Sequence, residues 1–229
     1  LKKRSFTNEW KSVDHVIAYF DRAKKMAHLR AEGERLLLDQ IPLRAKRVLD
    51  LGTGDGRLLA LVKSDRPRVE GVALDFSDPM LELARKRFAK DKLVQVVKHD
   101  LNFKLPASKL GCFDAVVSCL AIHHLTHERK KRIYGEIFDL LNLNGVFCNL
   151  ERVASPTEAL HLKFLNAIDL IPEEEDPSNK LLDVETQLHW FQEIGFLDVD
   201  CYWKWLELAL LVGFKPEIKT TIRGRAIRR

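Results

Sequence analysis

The spacing of apolar residues divides this chain into three regimes. In the first, Val13, Val16, Ile17 and Phe20 recur at helical spacing, and Met26, Leu29, Leu36 and Leu37 continue the stripe past a polar joint at Asp21-Arg22. The first forty residues therefore read as helical, ending at Pro42. In the second regime, short apolar runs alternate with amphipathic ones. Strands are predicted over 47–51, 69–75, 93–98, 113–119 and 145–150. The fourth, Phe113 to Cys119, is nearly all apolar, which suits a strand covered on both faces. Helices are predicted from Arg57, from a Ser77 cap (with Met80, Leu81, Leu83, Ala84 and Phe88 inward), and from a Thr126 cap (with Ile133, Ile137, Leu140 and Leu141).

The rhythm changes after Glu151. Ser155-Pro156-Thr157-Glu158 reads as a capping box with proline at the first helical position, opening a helix to about residue 170. Residues 171–178 form an acidic, proline-bounded loop, and Asp183 caps a helix ending at Gly195. Two apolar segments follow, 196–203 and 205–212. They are joined too tightly for a helical crossover, so they pair antiparallel. The predicted fold is α/β: a doubly wound sheet of seven strands, mostly parallel, with an antiparallel C-terminal hairpin. It divides into an N-terminal helical segment (1–45), expected to act as a lid, a main domain (46–213) with an inserted helical stretch at 151–195, and a basic tail (214–229).

A length of 229 residues allows one well-buried core. The net charge of +5 resides in the tail: residues 215–229 hold six Lys/Arg and one Glu, and the rest of the chain is neutral. Such a tail can grip phosphates, or be a solvated end. The four cysteines are widely spaced, with no zinc-like cluster, so no metal is expected and the setting reads as reducing and cytoplasmic. No apolar run approaches the roughly 20 residues that span a bilayer. Oligomeric state is not legible.

The chemistry concentrates in the first βα turn, Asp50-Leu51-Gly52-Thr53-Gly54-Asp55-Gly56. Glycines here let the backbone turn sharply and approach a ligand closely. The spacing is G-x-G-x-G, not the dinucleotide G-x-G-x-x-G, and two carboxylates flank it. Beside a pyrophosphate these would be repulsive; a ligand with a sulfonium and an ammonium suits them. Asp75 ends the second strand, where an acid can take a ribose diol. Asp100, after the third strand, can accept from an adenine amino group.

These segments resemble a known family. Residues 48–62 (VLDLGTGDGRLLALV), 71–88 (GVALDFSDPMLELARKRF), 113–125 (FDAVVSCLAIHHL) and 141–151 (LNLNGVFCNLE) look like successive motifs of class I, Rossmann-like methyltransferases that use S-adenosylmethionine. The nearest likeness is to the ubiquinone/menaquinone-type small-molecule enzymes, with the carboxymethyl-uridine tRNA group related. The resemblance implies that Gly52, Thr53, Gly54 and Gly56 line the methionine part of the cofactor, with Asp50 beneath them and Cys119 alongside. It implies that Asp75 binds the ribose, that Phe76 and Met80 flank the adenine, and that Asp100 and Leu101 hold its edge. Strand 4 lacks the Asn/Asp-Pro-Pro-Tyr/Phe run of enzymes that methylate nucleobase or glutamine amino groups, which disfavours those substrates.

Methyl transfer is an in-line displacement, so alignment supplies most of the rate, and a base is needed only for a protonated acceptor. His123 and His124 stand just past strand 4 as candidate bases, the second preferred by the resemblance. Glu151, Arg152 and His161 are candidate substrate contacts, and Tyr19 with Arg22 a candidate cofactor contact from the lid. The aromatic group Trp190, Tyr202, Trp203 and Trp205 reads as packing of the final hairpin, with boxing of an acceptor as the alternative. The expected activity is methyl transfer to a small molecule. Two other readings stay open: an RNA-modifying enzyme using the tail, and a non-catalytic S-adenosylmethionine-binding protein.

Overall fold

The computed structural model describes residues 27–217. Tyr19, Arg22 and residues 218–229 of the tail lie outside the described residues. Seven strands form one sheet in the order β3-β2-β1-β4-β5-β7-β6. They are β1 (Arg47–Leu51), β2 (Glu70–Asp75), β3 (Val94–Lys98), β4 (Phe113–Cys119), β5 (Leu141–Arg152), β6 (Leu197–Trp205) and β7 (Leu208–Phe214). The first five run parallel, and β7 is antiparallel to both β5 and β6.

The helices are α1 (Ala27–Gln40), α2 (Arg57–Asp65), α3 (Asp78–Arg87), α4 (Ala107–Leu110), α5 (His127–Leu140), α6 (Glu158–Ala167) and α7 (Val184–Ile194). They cover both faces, because successive strand residues point to opposite sides. On one face Val48, Val117, Cys148 and Leu150 pack under Leu37 of α1 and Leu59 and Val62 of α2. On the other, Leu49, Val116 and Phe147 pack under Tyr134 and Ile137 of α5 and Phe191 of α7. The described part of the N-terminal segment is thus a core layer: Leu37 and Ile41 are fully buried, and Gly33 sits so close to Trp203 that an added Cβ would lie 2.8 Å from its ring.

Strand order reverses between β1 and β4, so their carboxyl ends diverge and open a crevice. No helix among the described residues is long and apolar enough to cross a membrane.

Three boundaries differ from the expectation. β5 begins at Leu141 rather than Gly145, with a register shift opposite Phe113 and Ala115. The hairpin turns at Leu206-Glu207, with Leu206 at φ +48, so Trp205 closes β6 instead of opening β7. The cap of α6 is Thr157, whose hydroxyl accepts from the amide of Leu160, and the helix stops at Ala167. Ser155 does not cap because its hydroxyl donates to Glu207 at 2.8 Å. The other expected caps, Ser77, Thr126 and Asp183, each accept from an amide three residues on.

Candidate active site

The glycine loop leaves β1 in left-handed backbone conformations: φ is +66 at Gly52, +55 at Gly54 and +81 at Gly56. The amides of Gly52 and Thr53 both donate to the Leu74 carbonyl (2.8 and 3.0 Å), tying the loop to the end of β2. The three glycines serve different needs. A Cβ on Gly52 would lie 2.2 Å from the Cβ of Ala121, one on Gly56 would lie 2.5 Å from the Phe88 ring, and one on Gly54 would meet nothing closer than Met80 Sδ at 3.8 Å. Gly52 thus lets the loop touch the β4 turn, Gly56 lets α2 close on the end of α3, and Gly54 needs only its backbone freedom.

Two buried acids brace this loop. Asp75 accepts from the Gly54 amide and from the Ser77 amide, both at 2.9 Å, and burial raises its carboxyl above the ordinary range. Asp50 accepts from the Thr53 hydroxyl at 2.6 Å, while its Oδ1 is buried without a hydrogen-bond partner. Burial pushes its carboxyl up to about 7, against the smaller pull of the Thr53 hydroxyl. An unpartnered buried carboxylate oxygen is expensive unless a cationic donor arrives. Asp55, the other acid of the loop, is paired with Arg87.

A cavity of about 480 Å³ opens over this loop, within the size range of cofactor sites. Asp50, Gly52, Thr53 and Gly54 line its base. Asp75, Phe76 and Met80 reach it from the end of β2, and Asp100 and Leu101 from the end of β3. Asp100 is held by the backbone and side-chain nitrogens of Asn102, each at 2.9 Å. Arg129 of α5 donates to the Leu101 carbonyl at 2.6 Å and fixes that turn from outside. Cys119 reaches the cavity from β4; burial pushes its thiol up to about 12, so it is a neutral wall and not a nucleophile.

The far end of the cavity is built by the turn after β4. Leu120 takes φ +52, rare for a branched side chain, and its amide donates to the Leu150 carbonyl at 2.9 Å. A short 3-10 turn, Ile122–His124, follows. His124 lines the cavity and its Nδ1 meets the Ser178 hydroxyl at 2.8 Å. Burial, and then the neighbouring His123 and Lys180, hold its pKa well below the usual imidazole range. It is therefore neutral at physiological pH and able to take a proton.

Gly56, His123, Glu151, Arg152 and His161 do not line the cavity. His123 turns away into the protein, where Nδ1 meets Glu151 at 2.5 Å, and its ring packs against His124 with centroids 4.0 Å apart. Arg152, His161 and Ser155 converge on Glu207, a fully buried acid in the β6–β7 turn. Glu175 of the acidic loop joins them, 2.7 Å from Arg152 and 3.3 Å from His161. The late aromatics likewise pack: Trp203 against α1, and Trp205 against Phe164.

Sequence reasoning missed Pro177, Ser178 and Lys180, which line the cavity from the end of the acidic loop. No local pattern marks them, because Ser178 and His124 lie 54 residues apart. Arg57, the first residue of α2, was also missed; it lines the cavity and pairs with Glu34 of α1.

Residues 48–145 match the family model described as a methyltransferase domain. Over 136 residues the chain is 33% identical to a demethylmenaquinone methyltransferase of Thermus thermophilus, covering 59% of each chain. Over 144 residues it is 35% identical to a malonyl-[acyl-carrier protein] O-methyltransferase of a Marinomonas species, covering 60% of this chain and 52% of that one. The chain spans about half the length of the curated relatives it matches. Among solved structures, human N-acetylserotonin methyltransferase in complex with S-adenosylmethionine superposes with a TM-score of 0.67 at 15% identity, covering 94% of this chain and 60% of that one. The sheet order and the acid-braced glycine loop agree with that match, so residues 48–145 are similar in sequence and in fold to a methyltransferase domain.

Proposed function

We propose that the chain transfers a methyl group from S-adenosylmethionine to a small-molecule acceptor, with His124 taking the acceptor's proton. The observation that carries this reading is the continuity of the cavity. A single space runs from the glycine loop and its acids to a neutral histidine. When bound, the cofactor supplies an electrophilic methyl on a sulfonium. Gly52, Thr53 and Gly54 hold its methionine part, and Asp50 Oδ1 gains the cationic partner it lacks. Asp75 takes the ribose hydroxyls, Phe76 and Met80 flank the adenine, and Asp100 and Leu101 hold its edge. Residues 151–195 cover the acceptor and exclude water. The relative named demethylmenaquinone methyltransferase supports a small acceptor. For an acceptor that presents a weakly acidic hydroxyl, alignment and one weak base suffice.

Cofactor binding should depend on pH through Asp50. Its carboxyl is raised from 3.8 to about 7 in the folded protein, so at pH 6 it is mostly protonated and cannot pair with an ammonium. Calorimetry with S-adenosylhomocysteine should show affinity rising as pH increases through about 7, by up to tenfold per pH unit below that value. Asp50→Asn should bind more weakly and without this pH dependence. The same shift has an opposite consequence for the free protein: this group's contribution to stability is full below 3.8 and is lost as pH rises through about 7. Failure to bind either S-adenosylmethionine or S-adenosylhomocysteine at any pH would sink the proposal.

The proton step has its own test. An acceptor is found by following S-adenosylhomocysteine release from a panel of phenols, enols, amines and thiols. With it, His124→Ala should lower kcat by about 10²- to 10⁴-fold and leave S-adenosylhomocysteine affinity within about twofold. An undiminished kcat would remove His124 from the chemistry.

A further inference from the structure

The segment 175–180 joins two features that the proposed function leaves separate. At its start, Glu175 is held by Arg152 and His161 within the buried cluster around Glu207. At its end, Pro177, Ser178 and Lys180 form one wall of the cavity. Between them the segment braces itself. Asp176 accepts from the Ser178 amide at 2.8 Å, and Glu175 accepts from the Asn179 side chain at 3.3 Å.

The far end is fastened to the histidine pair. The Lys180 amide donates to the His123 carbonyl at 2.9 Å, and Lys180 Nζ donates to the His124 carbonyl at 2.9 Å and to the Ser178 carbonyl at 3.1 Å. From beneath, the buried Lys130 donates to the carbonyls of His123, Leu125 and Lys180, locking the two stretches together. Against this frame Ser178 meets the His124 ring twice: its hydroxyl stands 2.8 Å from Nδ1, and its backbone makes a further hydrogen bond with the imidazole.

A neutral imidazole has one N–H and one lone pair, and the partner of one nitrogen decides the state of the other. If the Ser178 hydroxyl donates to Nδ1, the ring proton sits on Nε2 and the ring offers no lone pair for chemistry. If the hydroxyl accepts from Nδ1–H, Nε2 becomes the basic nitrogen.

We propose that Ser178 is a positioning residue: its hydroxyl accepts from His124 Nδ1–H, fixing the ring's orientation and leaving Nε2 to take the acceptor's proton, while the strap from Glu175 to Lys180 holds the hydroxyl in place. This rests on the reading of His124 as the proton acceptor. The balance is simple. The acceptor's lone pair forms the new bond to carbon, the broken S–C pair stays with sulfur, and the acceptor's proton passes to Nε2. Nδ1 keeps its proton and its bond to Ser178 throughout, and Nε2 then releases the proton to solvent. The surroundings favour that release: burial, His123, Lys180 and Lys130 oppose a lasting charge on the ring and together outweigh the Ser178 backbone hydrogen bond that favours it.

The test uses the whole chain, saturated with S-adenosylhomocysteine, and reads the imidazole nitrogens by ¹⁵N NMR. His124 is assigned by its loss in His124→Gln. The wild type should show one neutral tautomer with the proton on Nδ1. Ser178→Thr, which keeps the hydroxyl, should retain it. Ser178→Ala, which loses the hydroxyl and keeps only the backbone bond to the ring, should show a mixture of tautomers and at least a tenfold lower kcat, with the KM for S-adenosylmethionine unchanged. Glu175→Gln, which weakens the anchor and leaves the hydroxyl, should move both readouts in the same direction by less. A wild-type ring protonated on Nε2, or a Ser178→Ala spectrum identical to wild type, overturns the proposal. A full rate in His124→Gln overturns instead the proton-acceptor reading, and it is seen independently of the tautomer.

Discussion

Gly52→Ala is expected to lower S-adenosylhomocysteine affinity by at least about 100-fold, equivalent to about 3 kcal/mol, while the far-ultraviolet spectrum stays that of an α/β sheet. Two penalties combine at this position. The backbone stands at φ +66, where an L side chain costs about 1–2 kcal/mol. The added Cβ would also lie 2.2 Å from Ala121 Cβ, a separation that no pair of carbons tolerates. Relief requires either the glycine loop or the turn after β4 to move, and both line the cavity. The Gly52 and Thr53 amides are also tied to Leu74 O, so a shifted loop loses its register with β2 and with the Asp75 carboxylate that holds Gly54. Gly54→Ala is the control. It carries a similar backbone penalty at φ +55 but meets only Met80 Sδ at 3.8 Å, so its effect should be at least several-fold smaller. Isothermal titration of both variants decides. Near-wild-type affinity in Gly52→Ala would mean that contact between the loop and the β4 turn is not needed for binding.

This contrast also shows what the sequence makes legible. The glycine loop is a local feature: strand, turn and helix follow one another within ten residues, and each is set by its own pattern. The sheet is legible for the same reason, because apolar alternation and caps such as Ser77, Thr126 and Asp183 act within a few residues. What separates Gly52 from Gly54 is not local. It depends on Ala121, which a strained Leu120 delivers from β4. The second half of the site fails to read for the same physical reason. Arg152 and His161 look like free polar groups facing a substrate, yet Glu207 lies 55 residues from one and 46 from the other and takes both. The same acid draws Ser155 away from the helix it was expected to cap, which moves the cap to Thr157. A polar residue's role in a sequence is known only once its partners are, and long-range partners follow from topology.

Glu207 accordingly carries the largest stability expectation. Its two oxygens accept from Ser155 and contact His161 on one side and from Arg152 on the other, with no exposure to solvent. Glu207→Gln removes the charge and keeps the shape. Arg152, only 9% exposed, then retains Glu175 as its remaining anionic partner, and a buried cation that loses a partner costs about 3–5 kcal/mol. Because Glu175 remains, about 3 kcal/mol is expected, read as a fall of about 6–12 °C in Tm. The double variant Arg152→Met/Glu207→Met should recover most of the loss, since replacing both members of a buried pair with apolar groups is often neutral. Recovery would identify the loss as an orphaned charge; an equally unstable double variant would point to packing. A loss below about 1 kcal/mol in Glu207→Gln would mean that water already reaches the cluster. The pair also separates stability from function. The double variant regains the fold but loses Arg152, the nearer of the two groups that hold Glu175, and leaves only His161 at 3.3 Å, so the strap that reaches Ser178 is loosened in a protein that is otherwise intact. Its kcat should stay low after its Tm has returned, and that is the result expected if the buried charges around Glu207 serve to place one hydroxyl beside His124.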